Sequence, residues 1–93
     1  MLVGVCKLDI FVPESGSLKA KRVVLNSVKK RIRNKFNVSV AEVEHQDKWQ
    51  RISLGISMVT NERTFIDSTM SEILKLIDYD GRMEVLSHKV DIC

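Results

Sequence analysis

The stretch from Phe36 to Met58, FNVSVAEVEHQDKWQRISLGISM, decides the fold because its pattern is typical of a β-hairpin. The second arm alternates strictly, with an apolar side chain at each even position from 52 to 58. The first arm, 38–44, alternates imperfectly, so we expect either a bulge near Val40–Ala41 or an edge strand with both faces partly covered. The polar connection 45–50 lacks an Asn-Gly type turn, which predicts a loop longer than two residues.

The segment before the hairpin predicts one strand and one helix. Residues 2–11 alternate with a period of two, which indicates a strand whose even-numbered side chains face the core. Ser17 is placed to cap a helix that begins at Leu18, because its hydroxyl can accept from an unpaired backbone N–H of the first turn. The apolar residues of this helix recur at helical spacing and form its predicted buried stripe: Val24, Leu25, Val28, Ile32 and Phe36.

The segment after the hairpin predicts a second helix and a last strand. Asn61 is a candidate cap for the helix, and Gly81 follows it at a position suited to a left-handed conformation. Residues Met83–Ile92 predict the strand, with Leu86 and Val90 on the same side as Ile92. The predicted buried stripe of the helix comprises Phe65, Ile66, Met70, Ile73, Leu74 and Ile77.

This order, β-α-β-β-α-β, predicts a single ferredoxin-like α+β domain over residues 1–93. Right-handed crossovers place the strands in one antiparallel sheet of order 4-1-3-2, with both helices on one face. The other face is then open to water or to a partner, and it would carry Val3, Val5 and Val59. A contiguous apolar patch on that face is typical of a homodimer or a protein-interaction module.

The composition is that of a small globular protein, with 44% hydrophobic and 29% charged residues among 93. No apolar run reaches the roughly 18 residues that a membrane span needs, so we expect no membrane association. The N-terminus lacks the basic region of a signal peptide, which predicts a cytoplasmic protein. The two cysteines are far apart and no Cys/His cluster is present, so the sequence predicts neither a metal site nor a cofactor.

Positive charge is concentrated in the first helix. Residues 15–41 contain no Asp or Glu but hold eight of the fifteen Lys and Arg residues. A basic face of this kind is typical of proteins that contact phosphates, and an exposed aromatic side chain beside it can stack on an unpaired base. The candidate nucleic-acid-binding residues are Lys19, Arg22, Lys29, Lys30 and Arg33 on the helix, with Trp49 and Arg51 at the hairpin.

Two motifs, VPESGSLKAKR at residues 12–22 and KFNVSVAEVEHQDKWQRISLG at residues 35–55, resemble the YlxP-like family of uncharacterised bacterial proteins, domain of unknown function 503. The similarity covers essentially the whole chain. It implies a ferredoxin-like fold and a cytoplasmic bacterial protein. Family members are commonly encoded beside translation-initiation and ribosome-maturation factors, which favours RNA or a ribosomal particle as the partner but implies no activity.

Two other readings of the site carry less weight. The third strand would present Ser53, Gly55 and Ser57 on the open face, where an RNA-recognition-motif domain needs aromatic residues. His45 and Asp47 could act as an acid/base pair in an enzyme, but no nucleophile arrangement or glycine-rich phosphate loop accompanies them. We therefore expect a non-catalytic protein that binds RNA or ribosomal particles, with a homodimeric interaction module as the alternative.

Overall fold

The computed structural model describes all residues from Met1 to Cys93 and shows the predicted β-α-β-β-α-β order. Four strands form one antiparallel sheet of order β2-β3-β1-β4, which is the predicted order read from the other edge. The fold is therefore ferredoxin-like, as predicted. The elements are β1 (Leu2–Phe11), α1 (Leu18–Lys35), β2 (Ser39–Glu44), β3 (Arg51–Thr60), α2 (Arg63–Asp80) and β4 (Glu84–Ile92).

The pairing of the two central strands separates a core face from an open face. Cys6 lies opposite Ile56 and Leu8 opposite Leu54, and all four side chains are buried beneath the helices. Burial of Cys6 also raises the pKa of its thiol. The odd-numbered positions of both strands point the other way, so Val5 and its neighbours lie on the open face as predicted.

Helix α1 begins and ends as its sequence indicates. The Ala20 N–H donates to the Ser17 hydroxyl over 3.0 Å, which satisfies one of the free amides of the first turn. At the other end, the Phe36 N–H donates to the Ile32 carbonyl over 2.9 Å. The predicted stripe from Val24 to Ile32 is buried, but one charged residue, Lys21, is buried with it.

Two details of α2 were predicted wrongly. Its N-cap position is occupied by Glu62, whose side chain makes no capping bond, and Asn61 lies outside the helix. The Thr60 hydroxyl instead accepts from the Glu62 N–H over 3.2 Å. Phe65 is 46% exposed because successive helical residues are turned by about 100°, so only Ile66 of this pair faces the sheet. Gly81 does adopt the left-handed conformation, with φ of 79°.

The bulge in β2 lies between Glu42 and Glu44 instead of at Val40–Ala41. The extra residue is Val43, whose side chain lies across Gly55 on the open face of β3. A Cβ atom at Gly55 would be only 2.8 Å from Val43 Cγ1, so the two residues fit each other. The position of the bulge therefore matches the position of a glycine on the neighbouring strand, and the alternation within β2 does not reveal that match.

A second bulge, in β4, changes the predicted face of Leu86. The register between β1 and β4 shifts between Asp9 and Ile10, so Ser87 lies opposite Asp9 and Val85 opposite Ile10. Leu86 falls between these pairs and is exposed, contrary to its predicted place beside Val90. An extra residue on one strand reverses which face of the sheet the residues on its two sides occupy, so alternation along the sequence no longer predicts the face.

Gly4 permits the close approach of α2 to the sheet. A Cβ atom there would lie 2.8 Å from Ile66 Cγ2, and the Ile66 side chain is fully buried. We expect Gly4→Ala to lower the free energy of unfolding by about 1–2 kcal/mol through overpacking. Gly16→Ala is the matched control, because no atom lies within 4 Å of its added Cβ. Denaturant unfolding of both variants checks this, and equal losses would contradict it.

Candidate nucleic-acid interface

Three connections meet at one end of the sheet. Phe11 at the end of β1 pairs with Arg51 at the start of β3 and with Glu84 at the start of β4. The β1–α1 turn, the β2–β3 loop and the α2–β4 turn therefore lie at this end. The loop is tied to the first turn, because the Val12 N–H donates to the Gln50 carbonyl over 2.8 Å. The Gln50 side-chain amide donates to the Pro13 carbonyl over 3.0 Å.

Lys21 connects α1 to the same loop from inside the protein. Its side chain is fully buried, and its ammonium group forms an ion pair with the Glu42 carboxylate at 3.0 Å. The ammonium also donates to three backbone carbonyls of the hairpin, those of His45 at 2.7 Å, Gln46 at 3.3 Å and Arg51 at 3.3 Å. A lysine has three N–H donors, so all of them are used and the four oxygens share them.

The β2–β3 loop, residues 45–50, thus has a fixed base and an exposed tip. His45 has a positive φ of 64°, and the Lys48 N–H donates to the His45 carbonyl over 3.0 Å to close a turn. Trp49 follows this turn and is 56% exposed. Because the carbonyls that bind Lys21 precede and follow it in the chain, the exposed indole is carried on an anchored segment.

The basic residues of α1 divide into those with partners and those without. Arg31 forms an ion pair with Asp80 at 2.8 Å, and Arg33 Nη2 donates to the Val40 carbonyl at 3.0 Å. Lys35 lies 5.6 Å from the centre of the Phe36 ring. Four predicted site residues make no ion pair or side-chain hydrogen bond: Lys19, Arg22, Lys29 and Lys30.

Three of these cations, Lys19, Arg22 and Lys30, are exposed, and Lys29 is half-buried beside the core-facing stripe. Arg22, Lys29 and Arg33 follow helical spacing and form a row of about 16 Å along the helix. The bond from Arg33 to the β2 backbone shows that this row flanks the edge strand of the sheet. The row begins near the β2–β3 loop, because Lys21 binds that loop one residue before Arg22. The structure therefore brings the Arg22 end of this row close to the loop that carries Trp49.

Arg51 is not part of this row. Its side chain has the parity of Ser53 and Gly55 and lies on the open face of the sheet, on the opposite side from α1. Its Nε atom is buried and has no hydrogen-bond partner. Hydrogen bonds from the Ser53 hydroxyl, and secondarily from Ser87, hold the pKa of Asp9 below its usual range, with smaller contributions from the Lys7 and Arg51 charges.

A second ionic cluster joins the two helices near the α2–β4 turn. The Asp80 carboxylate is almost fully buried and accepts from Arg31 at 2.8 Å and from Arg82 at 2.6 and 2.8 Å. The Arg82 guanidinium also donates to the Ser27 hydroxyl at 3.1 Å. Hydrogen bonding to Arg82 is the main cause that lowers the pKa of Asp80, and the same bond raises the pKa of Arg82.

A cleft of about 490 Å³ lies beside this cluster. Val12, Ala20 and Val24 form its apolar part, and Glu14 and Arg82 contribute opposite charges. Neither His45 nor Asp47 lines it.

The chain contains no group of three or more His, Cys, Asp or Glu side chains that could hold a metal ion. Neither helix is long and apolar enough to cross a membrane.

Sequence reasoning placed Lys21 within the basic window and missed its internal role. The nearest signal was its position, since a cation in the first turns of a helix opposes the helix dipole and needs another reason to be there. Asp80 and Arg82 were also missed as an ionic cluster. Their partners Arg31 and Ser27 are about 50 residues away in the chain, so no local pattern indicates the contact.

Fold and charge together define a small ferredoxin-like α+β domain with an exposed basic helix. Residues 3–90 match the family model described as protein of unknown function DUF503. The chain belongs to this family, as its motifs predicted. It is 39% identical over 77 residues to the uncharacterized protein YlxP of Bacillus subtilis (strain 168), covering 83% of this chain and 84% of that protein.

Two de novo designed proteins of known structure share the fold. Foldit4 matches with a TM-score of 0.58 and 16% identity over 100% of this chain and 97% of the design. The design LFR1 1, solved by solution NMR with a ferredoxin fold, matches with a TM-score of 0.52 and 11% identity over 100% of this chain and 84% of the design. At these identities the likeness concerns the fold alone.

Proposed function

We propose that this protein is a non-catalytic cytoplasmic binding protein for RNA or ribosomal particles, and that it binds through α1 and the β2–β3 loop. The observation that carries the proposal is the set of four cations on α1, three exposed and Lys29 half-buried, that no acidic side chain neutralises. Arg22 and Lys29 form a row with Arg33 along the edge strand, and this row begins near the loop whose exposed Trp49 is carried on a segment anchored by Lys21. The cations can bind phosphates, and the indole of Trp49 can stack on a base of the same RNA.

The charge arrangement favours a polyanion over an acidic protein segment. The unpaired cations follow one helix for about 16 Å, so they offer a line of positive charge to a backbone that carries one phosphate per nucleotide. Lys and Arg bind phosphates without reading sequence, whereas an indole stacks on any base. Binding of single-stranded RNA with weak sequence preference and strong salt dependence follows from these two groups.

Reversal of two charges on the row tests this function. We expect the double variant Arg22→Glu and Lys29→Glu to bind single-stranded RNA at least tenfold more weakly at about 0.1 M salt. Each lost phosphate contact reduces the slope of log affinity against log salt by about 0.7, so the slope should fall by roughly 1.4. Fluorescence anisotropy of a labelled oligonucleotide, repeated over a series of salt concentrations, measures both quantities.

The matched control is Arg63→Glu with Lys75→Glu on α2, which changes the net charge equally. Both α2 residues are exposed, and the only contact of Lys75 is a 3.5 Å pair with Glu72. We expect this control to retain most of the affinity and the salt slope of the wild-type protein. If both double variants weaken binding equally, net charge and not the α1 row is responsible. If neither changes it, the proposed interface is wrong.

A further inference from the structure

The open face of the sheet divides into a small apolar half and a polar half. The apolar half lies toward the N-terminal end of β1, where Val3 and Val5 are opposite Val59 and Ser57. Ala41 and Val43 of β2 extend it to the edge of the sheet. Val59 is 63% exposed, and Val5 and Val43 are also exposed, so the apolar patch is accessible and continuous across three strands.

The apolar half of the open face has a groove and a protruding side chain, a shape that can pack against another sheet. Small residues at Ser39, Ala41, Gly55 and Ser57 form a shallow groove of about 240 Å³. Val43 borders the groove, because its side chain lies across Gly55. The exposed Val59 stands beside this groove as a ridge, so one sheet offers both a ridge and a depression. Inner faces of packed sheets interdigitate in this way.

Positive and negative residues are nearly equal in number on the open face. Lys7 forms an ion pair with Glu44 at 2.6 Å, and Asp9 accepts from the Ser53 hydroxyl at 2.5 Å and from the Ser87 hydroxyl at 3.1 Å. Three basic and four acidic residues have open-face positions: Lys7, Arg51 and Lys89, and Asp9, Glu44, Glu84 and Asp91. The excess positive charge of α1 is therefore absent here, and a polyanion has no electrostatic reason to bind this side.

We propose that the open face binds a second copy of this chain, in a two-fold symmetric dimer of face-to-face sheets. The ten residues of β1 and the four-strand width give a face of roughly 600 Å². Two such faces bury roughly 1,200 Å² together, which is at the lower end of specific interfaces. An isologous contact between two faces of mixed, nearly balanced charge brings no net repulsion, and it covers the valine patch.

This dimer is independent of the proposed RNA contact. Both helices lie on the face opposite the interface, so α1 of each copy stays on an outer surface of the dimer. The assembly would present two basic helices, each with its own β2–β3 loop. An interface near the lower size limit is typical of reversible association, so the dimer should dissociate on dilution.

Sedimentation equilibrium from about 5 to 500 µM tests the proposal, with wild-type protein and one variant on each side of the molecule. Val59→Glu places a charge in the apolar half, and the symmetry introduces it twice per dimer. Val23→Glu is the matched control, because Val23 is 62% exposed on α1 and lies away from the sheet. We expect a concentration-dependent wild-type dimer, at least tenfold weaker self-association for Val59→Glu, and an unchanged dimer for Val23→Glu.

Each other result overturns the inference. A wild-type monomer at 500 µM, or a dimer that Val59→Glu leaves intact, excludes the open face as the interface. Equal weakening by both variants shows that added negative charge, and not the face, is responsible. If Val59→Glu fails to fold, the nearly isosteric Val59→Thr replaces it and must weaken the dimer while its thermal unfolding stays close to that of the wild type. RNA affinity is measured separately, so failure of one proposal leaves the other standing.

Discussion

Replacement of Lys21 by methionine is expected to lower the free energy of unfolding by about 3–5 kcal/mol, the range for removal of one partner from a buried ion pair. Methionine keeps most of the side-chain volume, so the loss comes from electrostatics and hydrogen bonding. Glu42 would retain a largely buried carboxylate without its cation, and the His45, Gln46 and Arg51 carbonyls would lose their shared donor. Denaturant unfolding followed by far-ultraviolet circular dichroism measures the change.

Lys19→Met is the matched control for this prediction. The same chemical change is made two residues earlier on the same helix, but Lys19 is exposed and makes no hydrogen bond or ion pair. Exposed substitutions of this kind change stability by no more than about 0.5 kcal/mol. Similar losses in the two variants would mean that the buried ammonium group contributes nothing specific.

A local measurement keeps the prediction testable if Lys21→Met is too unstable to study. The double variant Lys21→Met with Glu42→Gln removes the stranded carboxylate and should recover part of the loss, since the two residues are directly coupled. In this background the loop has lost its internal donor, so amide exchange at residues 45–50 should be faster than in the wild type. Wild-type exchange rates in the loop would show that Lys21 does not anchor it.

Much of the fold was predictable because its determinants are local. Alternation in β3 and the helical stripe from Val24 to Ile32 each place a core face without reference to the rest of the chain. Ser17 and Gly81 mark a helix start and a helix end through their own backbone chemistry. Once these elements are assigned, the handedness of crossovers leaves few alternatives for the sheet.

The candidate interface was only partly predictable because it depends on which long-range partner each charge finds. Eight basic residues look equivalent in the sequence, but Lys21 is internal and Arg31 is paired with Asp80. Arg51 follows Trp49 by two residues, yet strand parity directs its side chain to the opposite face from α1. Bulges have the same character, since the one at Val43 is explained by Gly55 on the neighbouring strand.

The second large effect concerns Asp80, whose replacement by asparagine should lower the free energy of unfolding by about 2–3 kcal/mol at pH 7. Asparagine is nearly isosteric but removes the charge that receives both guanidinium groups, and hydrogen bonds to charged groups contribute about 1.5–3 kcal/mol each. The Arg31 and Arg82 side chains are 42% and 43% exposed, so water replaces part of the lost interaction. We therefore expect the free energy of unfolding to fall by about the contribution of one such hydrogen bond.

The pH dependence identifies the carboxylate as the cause. The pKa of Asp80 is lowered in the folded protein, chiefly by the Arg82 hydrogen bond, so its stabilisation is fully present above the unfolded pKa of about 3.9. That stabilisation is lost as the pH falls through the lower folded value. The difference in stability between wild type and Asp80→Asn should therefore be constant near neutrality and shrink below about pH 4.

Acid-range denaturant titrations of both proteins measure this difference. The pKa of Asp9 is also lowered, but Asp9 is present in both proteins, so its contribution to the pH dependence cancels in the difference. Asp78→Asn is the control, because Asp78 lies on the exposed side of the same helix and forms no ion pair; it should change stability by less than about 0.5 kcal/mol at pH 7. A difference that persists undiminished at about pH 2 would show that Asp80 acts by packing and not by its charge. Because its carboxylate joins Arg31 of α1 to Arg82 of the α2–β4 turn, loss of that charge should loosen the docking of the two helices and leave the Lys21 anchor of the loop intact.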